Sequence, residues 1–199
     1  MQSATIICCS VLRMEVEDIL RRELPDIEAI FLDSMLHMHP ERLHRVMDES
    51  LATLGNRNCL LIYGDCHPHI CDTDKRPHCS RTKAVNCTEL LMGEELYRRY
   101  RRRKAFVFLP EWTLRWREVF LDELGFREPS LAREFMQENR SVLVYIDTGI
   151  IPVPQKVLDE IADFFAMPVE VLAVSLDSLR RAIDTALAKF AERRPDNVA

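Results

Sequence analysis

Apolar residues fall along this chain in short runs that alternate with helical spacings. "ATIICCS" is a compact β-rich run, and after it Leu12, Val16, Ile19, Leu20 and Leu24 recur at the three- and four-residue steps of a helix that Pro25 closes. "IEAIFLDS" predicts a second strand. "PERLHRVMDESLATLG" predicts a helix with Pro40 near its start and Gly55 at its end. "CLLIYGDC" reads as a third strand, and "NCTELLMGEELYRRYRRR" as a helix with Asn86 as its N-cap. "KAFVFLPEW" is a fourth strand, followed by helical segments over 113–124 and 129–139, and "SVLVYIDTG" is a fifth. "PQKVLDEIADFFA" carries Val157, Leu158, Ile161, Phe164 and Phe165 on one helical face, "VEVLAVSL" is a sixth strand, and "DSLRRAIDTALAKF" is a final helix opened by an Asp or Ser cap.

Strands that alternate with helices predict an α/β fold with a mostly parallel sheet of about six strands, covered by helices on both faces. The chain has no internal repeat and no Gly/Ser-rich linker, with five glycines in all. Residues 1–191 are therefore expected to form a single domain, with a frayed C-terminal tail over 192–199.

Composition narrows the partners. Of 199 residues, 47% are hydrophobic and 30% charged, and the formal net charge is −5. An acidic balance is a poor start for neutralising phosphates, so nucleic acid is not the expected partner. "YRRYRRRK" fits cations at a helix C-terminus better than a nucleic-acid patch. "MQSATIICCSVL" lacks the basic start and long apolar run of a secretory signal, and no apolar stretch approaches a bilayer span. The expected setting is the cytoplasm, where thiols stay reduced. Seven cysteines is also an odd number, so a complete set of internal disulfides is excluded.

Four of those cysteines and three histidines fall within twenty-five positions, "YGDCHPHICDTDKRPHCSRTKAVNC". In a parallel α/β fold, ligands bind beyond the carboxyl ends of the strands. Those ends carry Cys8, Cys9 and Ser10, then Asp33 with His37 and His39 behind it. Next come Asp65, Cys66, His67 and His69, then Glu111 and Trp112, and finally Asp147, Thr148 and Gly149. Cys9 and Cys66 need only flank one crevice to reach a common ion. Cys87 opens a helix, where free N–H groups favour thiolate. Three thiolates with one further ligand suit tetrahedral zinc or an iron–sulfur cluster, and His67, His69 and Cys71 are candidates for the fourth position. Cys8 and Cys59 lie within apolar runs and read as core residues. Cys71, His78 and Cys79 sit among Asp, Lys, Arg and Pro, which predicts a surface loop, with a second metal site as the alternative. Trp112 and Trp116 read first as packing; Trp112, Asp147 and Thr148 are the candidate substrate contacts. No Walker loop, dinucleotide glycine fingerprint or serine nucleophile elbow occurs.

In their order, "IICCSVL", "LIYGDCH", "AVNCTELLMG", "FLPEWTLRWREVF" and "LVYIDTG" resemble the family known as domain of unknown function 1638, from about residue 4 to 190. The resemblance carries that family's three cysteines onto Cys9, Cys66 and Cys87. Many members have glycine after the Cys66 position and a His-Asp pair before the Cys87 position; this chain has His67 and Val85–Asn86 there, so His67 or His69 is the expected substitute ligand. Genes of the family often neighbour corrinoid-dependent methyltransferases, which implies a one-carbon setting. Three functions remain in view. The first is a thiolate-ligated zinc or iron–sulfur protein. The second is a metal-free cysteine enzyme, with Cys87 as nucleophile and His67 or His69 as base. The third is an accessory protein binding a small molecule or a corrinoid-related partner.

Overall fold

A computed structural model of the chain describes residues 4–66 and 70–192. Strands β1 (Ala4–Cys9), β2 (Glu28–Leu32), β3 (Asn58–Ile62) and β4 (Cys79–Arg81) form one parallel sheet in the order β2-β1-β3-β4. Strands β5 (Ala105–Phe108), β6 (Val142–Asp147) and β7 (Val169–Ala173) form a second parallel sheet in the order β5-β6-β7. The helices are α1 (Arg13–Glu23), α2 (Pro40–Leu54), α3 (Cys87–Met92), α4 (Glu94–Arg102), α5 (Pro110–Leu114), α6 (Pro129–Asn139), α7 (Gln155–Phe165) and α8 (Asp177–Glu192). The parallel α/β class is as expected. The strands, however, divide between two sheets and two compact units, one of Met1–Leu91 with Leu176–Ala199 and the other of Met92–Ser175. The expected tail falls almost wholly outside the described residues.

In the first unit, β1 is buried along its whole length, as an inner parallel strand flanked by two neighbours must be. The edge strand β2 is half exposed. Val16, Ile19 and Leu20 of α1 are buried at helical spacing, as are Leu43, Met47, Leu51 and Leu54 of α2. Pro40 opens α2, and Gly55, at φ +58°, closes it. The final helix α8 returns to this unit and packs on β3 and β4.

Two local differences from expectation have simple causes. The stretch read as a surface loop contains a 3₁₀ segment, Ile70–Lys75, followed by β4, whose three residues pair with β3. The single helix expected over residues 86–103 is divided at Gly93, whose φ of +78° lies outside the helical region.

The second unit is held by aromatic rings. Phe108 of β5 lies 5.3 Å from Phe120 and 6.4 Å from Phe165 of α7, centre to centre, and Phe120 lies 5.4 Å from Phe165. Such spacings fit edge-on and tilted ring packing. No helix among the described residues is long and apolar enough to cross a membrane.

Candidate functional site

In the first sheet β2 lies on one side of β1 and β3 on the other, so the chain changes direction of progress between β1 and β3. A crevice opens beyond the carboxyl ends of two strands at such a switch point. Cys9 is the last residue of β1, and Cys66 follows the end of β3 by four positions. Cys87 reaches the same place from the first turn of α3.

Four hydrogen bonds and one close backbone approach hold that turn in place. Asn86 caps α3 by accepting from the Glu89 N–H (2.9 Å), and the Glu89 carboxylate reaches back to the Val85 N–H. The Asp65 N–H donates to the carbonyls of Ala84 (3.0 Å) and Val85 (3.1 Å). Gly64 lies flat against Asn86: a Cβ at residue 64 would sit 2.2 Å from the Asn86 Cα. Only glycine allows the end of β3 to run this close to the backbone that delivers Cys87.

The result is a chain of thiols. Cys87 is hydrogen-bonded to Cys66 on one side and to Cys9 on the other, and the Gly64 backbone N–H serves both Cys66 and Cys87. Cys9 and Cys87 are buried and Cys66 is half-buried. The hydrogen bond with Cys87 pushes the Cys66 thiol up from its ordinary range, and burial and the neighbouring charges of Cys87 and Asp65 push it further. For Cys87, the hydrogen bond from Cys66 favours thiolate. The bond to Cys9, burial and the Cys9 charge outweigh it, so this thiol too is pushed well up. Left to themselves, both hold their protons at neutral pH.

Tyr63 completes the cluster. Its ring is 2% exposed, and its hydroxyl is buried with no hydrogen-bond partner among the described residues. Burial, then the charges of Cys9, Cys8, Cys87 and Cys66 in that order, raise its ionisation far above the ordinary phenol range. The hydroxyl is therefore a neutral donor that feels the charges of four cysteines. A buried hydroxyl left unpaired is costly, and such groups mark places where another group binds. Cys8 and the fully buried Glu15 stand behind it: burial, then the charges of Cys87 and Glu15, raise the Cys8 thiol.

The other expected residues are distributed as follows. His67 and His69 lie outside the described residues. Cys71 is exposed and accepts from the Arg81 guanidinium (3.3 Å), which also donates to Asp65 (2.8 Å). Cys79 is buried at the start of β4, opposite Cys59 in register, and His78 precedes it. Trp112, Asp147 and Thr148 belong to the second unit and are all half-buried; the Asp147 carboxylate accepts from the Gly149 N–H (2.9 Å), closing a turn. Among the described residues, no group of three or more His, Cys, Asp and Glu side chains is set ready to hold a metal ion.

Sequence reasoning did not reach Tyr63, Gly64 and Glu15. For the first two the signal was in view, since "YGDC" places an aromatic hydroxyl and the residue without a side chain directly before the cysteine. Glu15 gave none, because a glutamate in the first turn of a helix is ordinarily solvated.

A parallel α/β chain with a buried thiol cluster at a β1/β3 switch point is the class these features define. The chain belongs to the family described as protein of unknown function (DUF1638), which it matches over residues 31–183. That span includes Tyr63, Gly64, Cys66 and Cys87, whereas Cys9 precedes it. No curated protein and no solved structure matches the chain.

Proposed function

We propose that Cys9, Cys66 and Cys87 are the ligands of a thiophilic metal centre, zinc or an iron–sulfur cluster, with Tyr63 donating a hydrogen bond to what binds there. The observation that carries this reading is the buried Tyr63 hydroxyl, without a hydrogen-bond partner among the described residues, within the electrostatic reach of Cys9, Cys66 and Cys87. A tetrahedral zinc site with Zn–S bonds of about 2.3 Å needs its sulfurs about 3.8 Å apart. Among the described residues no such set is preformed, so the three cysteines must close around the ion. The raised thiol ionisations agree with this, because a cation replaces the protons and removes the repulsion that keeps three neighbouring thiolates from forming. The fourth position falls to His67, His69 or an exogenous ligand. A bound zinc ion would hold a thiolate ready at neutral pH, and an iron–sulfur cluster would carry an electron.

Metal and acid-labile sulfide analysis of anaerobically purified protein tests the reading, with the Cys66→Ser variant beside it. Cys66 is half-buried, so the variant is expected to fold. Near-stoichiometric zinc, or iron with sulfide, that drops severalfold in the variant supports the centre, and the element chooses the chemistry. Metal-free wild-type protein that also fails to take up zinc or iron would sink it.

A further inference from the structure

Cys59 and Cys79 lie near the amino ends of β3 and β4, toward the end of the sheet away from the thiol cluster. They are direct partners in the parallel register, and their thiols are hydrogen-bonded to each other. Neighbouring strands run about 4.8 Å apart, inside the Cα–Cα range of roughly 4.4–6.8 Å that a disulfide spans. Both side chains also stand on the same face of the sheet, as register partners must. We propose that Cys59 and Cys79 are a redox-active dithiol that closes to a disulfide when the protein meets a peroxide.

The fold supplies an entry route. β4 has three residues, lies at the edge of its sheet and, among the described residues, pairs with β3 alone. β4 is buried beneath α8 and the Ile70–Lys75 segment, so peroxide reaches Cys79, the first residue of the strand, when these covering segments open locally. The step balances without a further reagent. The Cys79 sulfur attacks one peroxide oxygen, the O–O bond breaks, and one water leaves with Cys79 as sulfenic acid. The Cys59 sulfur then displaces the hydroxyl as a second water, forming the S–S bond. Two thiols are oxidised and one peroxide is reduced to two waters. The closed bond ties the edge strand to β3, whose far end carries Tyr63 and Gly64. Thr82, the residue after β4, already donates to the Tyr63 carbonyl (3.1 Å), so the tied strand adjoins the segment that positions the thiol cluster.

The dithiol does not depend on a metal at the other end of the sheet, and its readout is covalent. Full-length protein is treated with hydrogen peroxide, residual thiols are alkylated, and peptides are mapped without reduction. The expected product joins the Cys59 and Cys79 peptides with the loss of two hydrogens, and dithiothreitol reverses it. In Cys79→Ala the joined peptide is absent and Cys59 is alkylated. Recovery of Cys59 and Cys79 both alkylated, under conditions where the exposed Cys71 is fully oxidised, would overturn the proposal. So would a bridge from Cys79 to Cys71 in place of Cys59.

Discussion

Substituting Gly64 with alanine tests the packing that brings Cys87 to Cys66. The added methyl would lie 2.2 Å from the Asn86 Cα and 2.7 Å from its backbone N and C atoms. Ordinary contact begins near 3.4 Å, so one backbone must retreat by more than about 1 Å, and no flexible side chain is there to give way. Overpacking of a tight core costs about 1–3 kcal/mol, and a backbone-to-backbone clash sits at the top of that range. For a chain of this length, about 3 kcal/mol lowers Tm by about 6–12 °C. Gly55→Ala is the control: its φ is +58° but nothing lies within 4 Å of the new Cβ. It therefore pays backbone strain alone. At ψ −121° it lies outside the left-handed helical basin, so the cost is about 1–3 kcal/mol, or about 2–12 °C, and the contrast with Gly64→Ala rests on the bound metal. Because Asn86 immediately precedes Cys87, the retreat also moves a proposed ligand, so Gly64→Ala is expected to lose most of its bound metal while Gly55→Ala keeps it. Calorimetry and metal analysis on the same preparations read both effects. A Gly64→Ala protein that melts within about 2 °C of wild type with its metal intact would refute the close approach and its role.

Four further outcomes follow from the same structure. Tyr63→Phe removes a buried hydroxyl without a described partner, so metal-free stability is expected to hold or rise by about 1 kcal/mol while metal affinity falls, read from urea unfolding with and without zinc. Metal-free protein is expected to lose stability as pH rises above about 8.5, where unfolded thiols ionise. Cys8, Cys59, Cys66, Cys87 and Tyr63 have folded-state ionisations raised above those of the unfolded chain, so the native state keeps protons that the unfolded state releases. A metal-free stability flat from pH 7 to 10 would contradict those shifts. Zinc affinity is expected to rise about tenfold per pH unit for each thiol proton displaced below pH 8, measured with a competing chelator; a pH-independent affinity would exclude thiol ligands. Ala166 ends α7 at φ +50°, so Ala166→Gly is expected to stabilise the second unit by about 0.5–1 kcal/mol in a thermal melt, and a destabilised variant would count against that conformation.

The elements were legible where burial forces a pattern. "ATIICC" and "VLVYID" are continuous apolar runs because β1 and β6 are the inner strands of their sheets. The i, i+3 and i+4 spacing of α1 and α7 follows from helices laid on a sheet. β4 was not legible: two of the three residues of Cys79–Arg81 are polar, and its buried state comes from tertiary neighbours. Nor does any local pattern say which strands pair, so one sheet was expected where two are found. The cluster was half legible. Strand ends carry side chains to a rim, which placed Cys9 and Cys66, and Asn86 announced the helix start that carries Cys87. The Tyr63 hydroxyl was hidden, because an aromatic ending a strand reads as core, and only the surroundings of its oxygen distinguish it. Likewise Cys59 read as core packing, and nothing before the register appeared pointed to Cys79 beside it.

X-ray absorption at the metal edge of anaerobically purified protein tests the central claim most directly. If the metal is zinc, the account predicts a first shell of three sulfurs at about 2.3 Å, contributed by Cys9, Cys66 and Cys87, that loses one sulfur in Cys66→Ser. If it is iron, the shell is sulfur from bridging sulfide and these cysteines, and Cys66→Ser loses cluster occupancy. A first shell of nitrogen and oxygen alone, or three sulfurs unchanged in the variant, would contradict it.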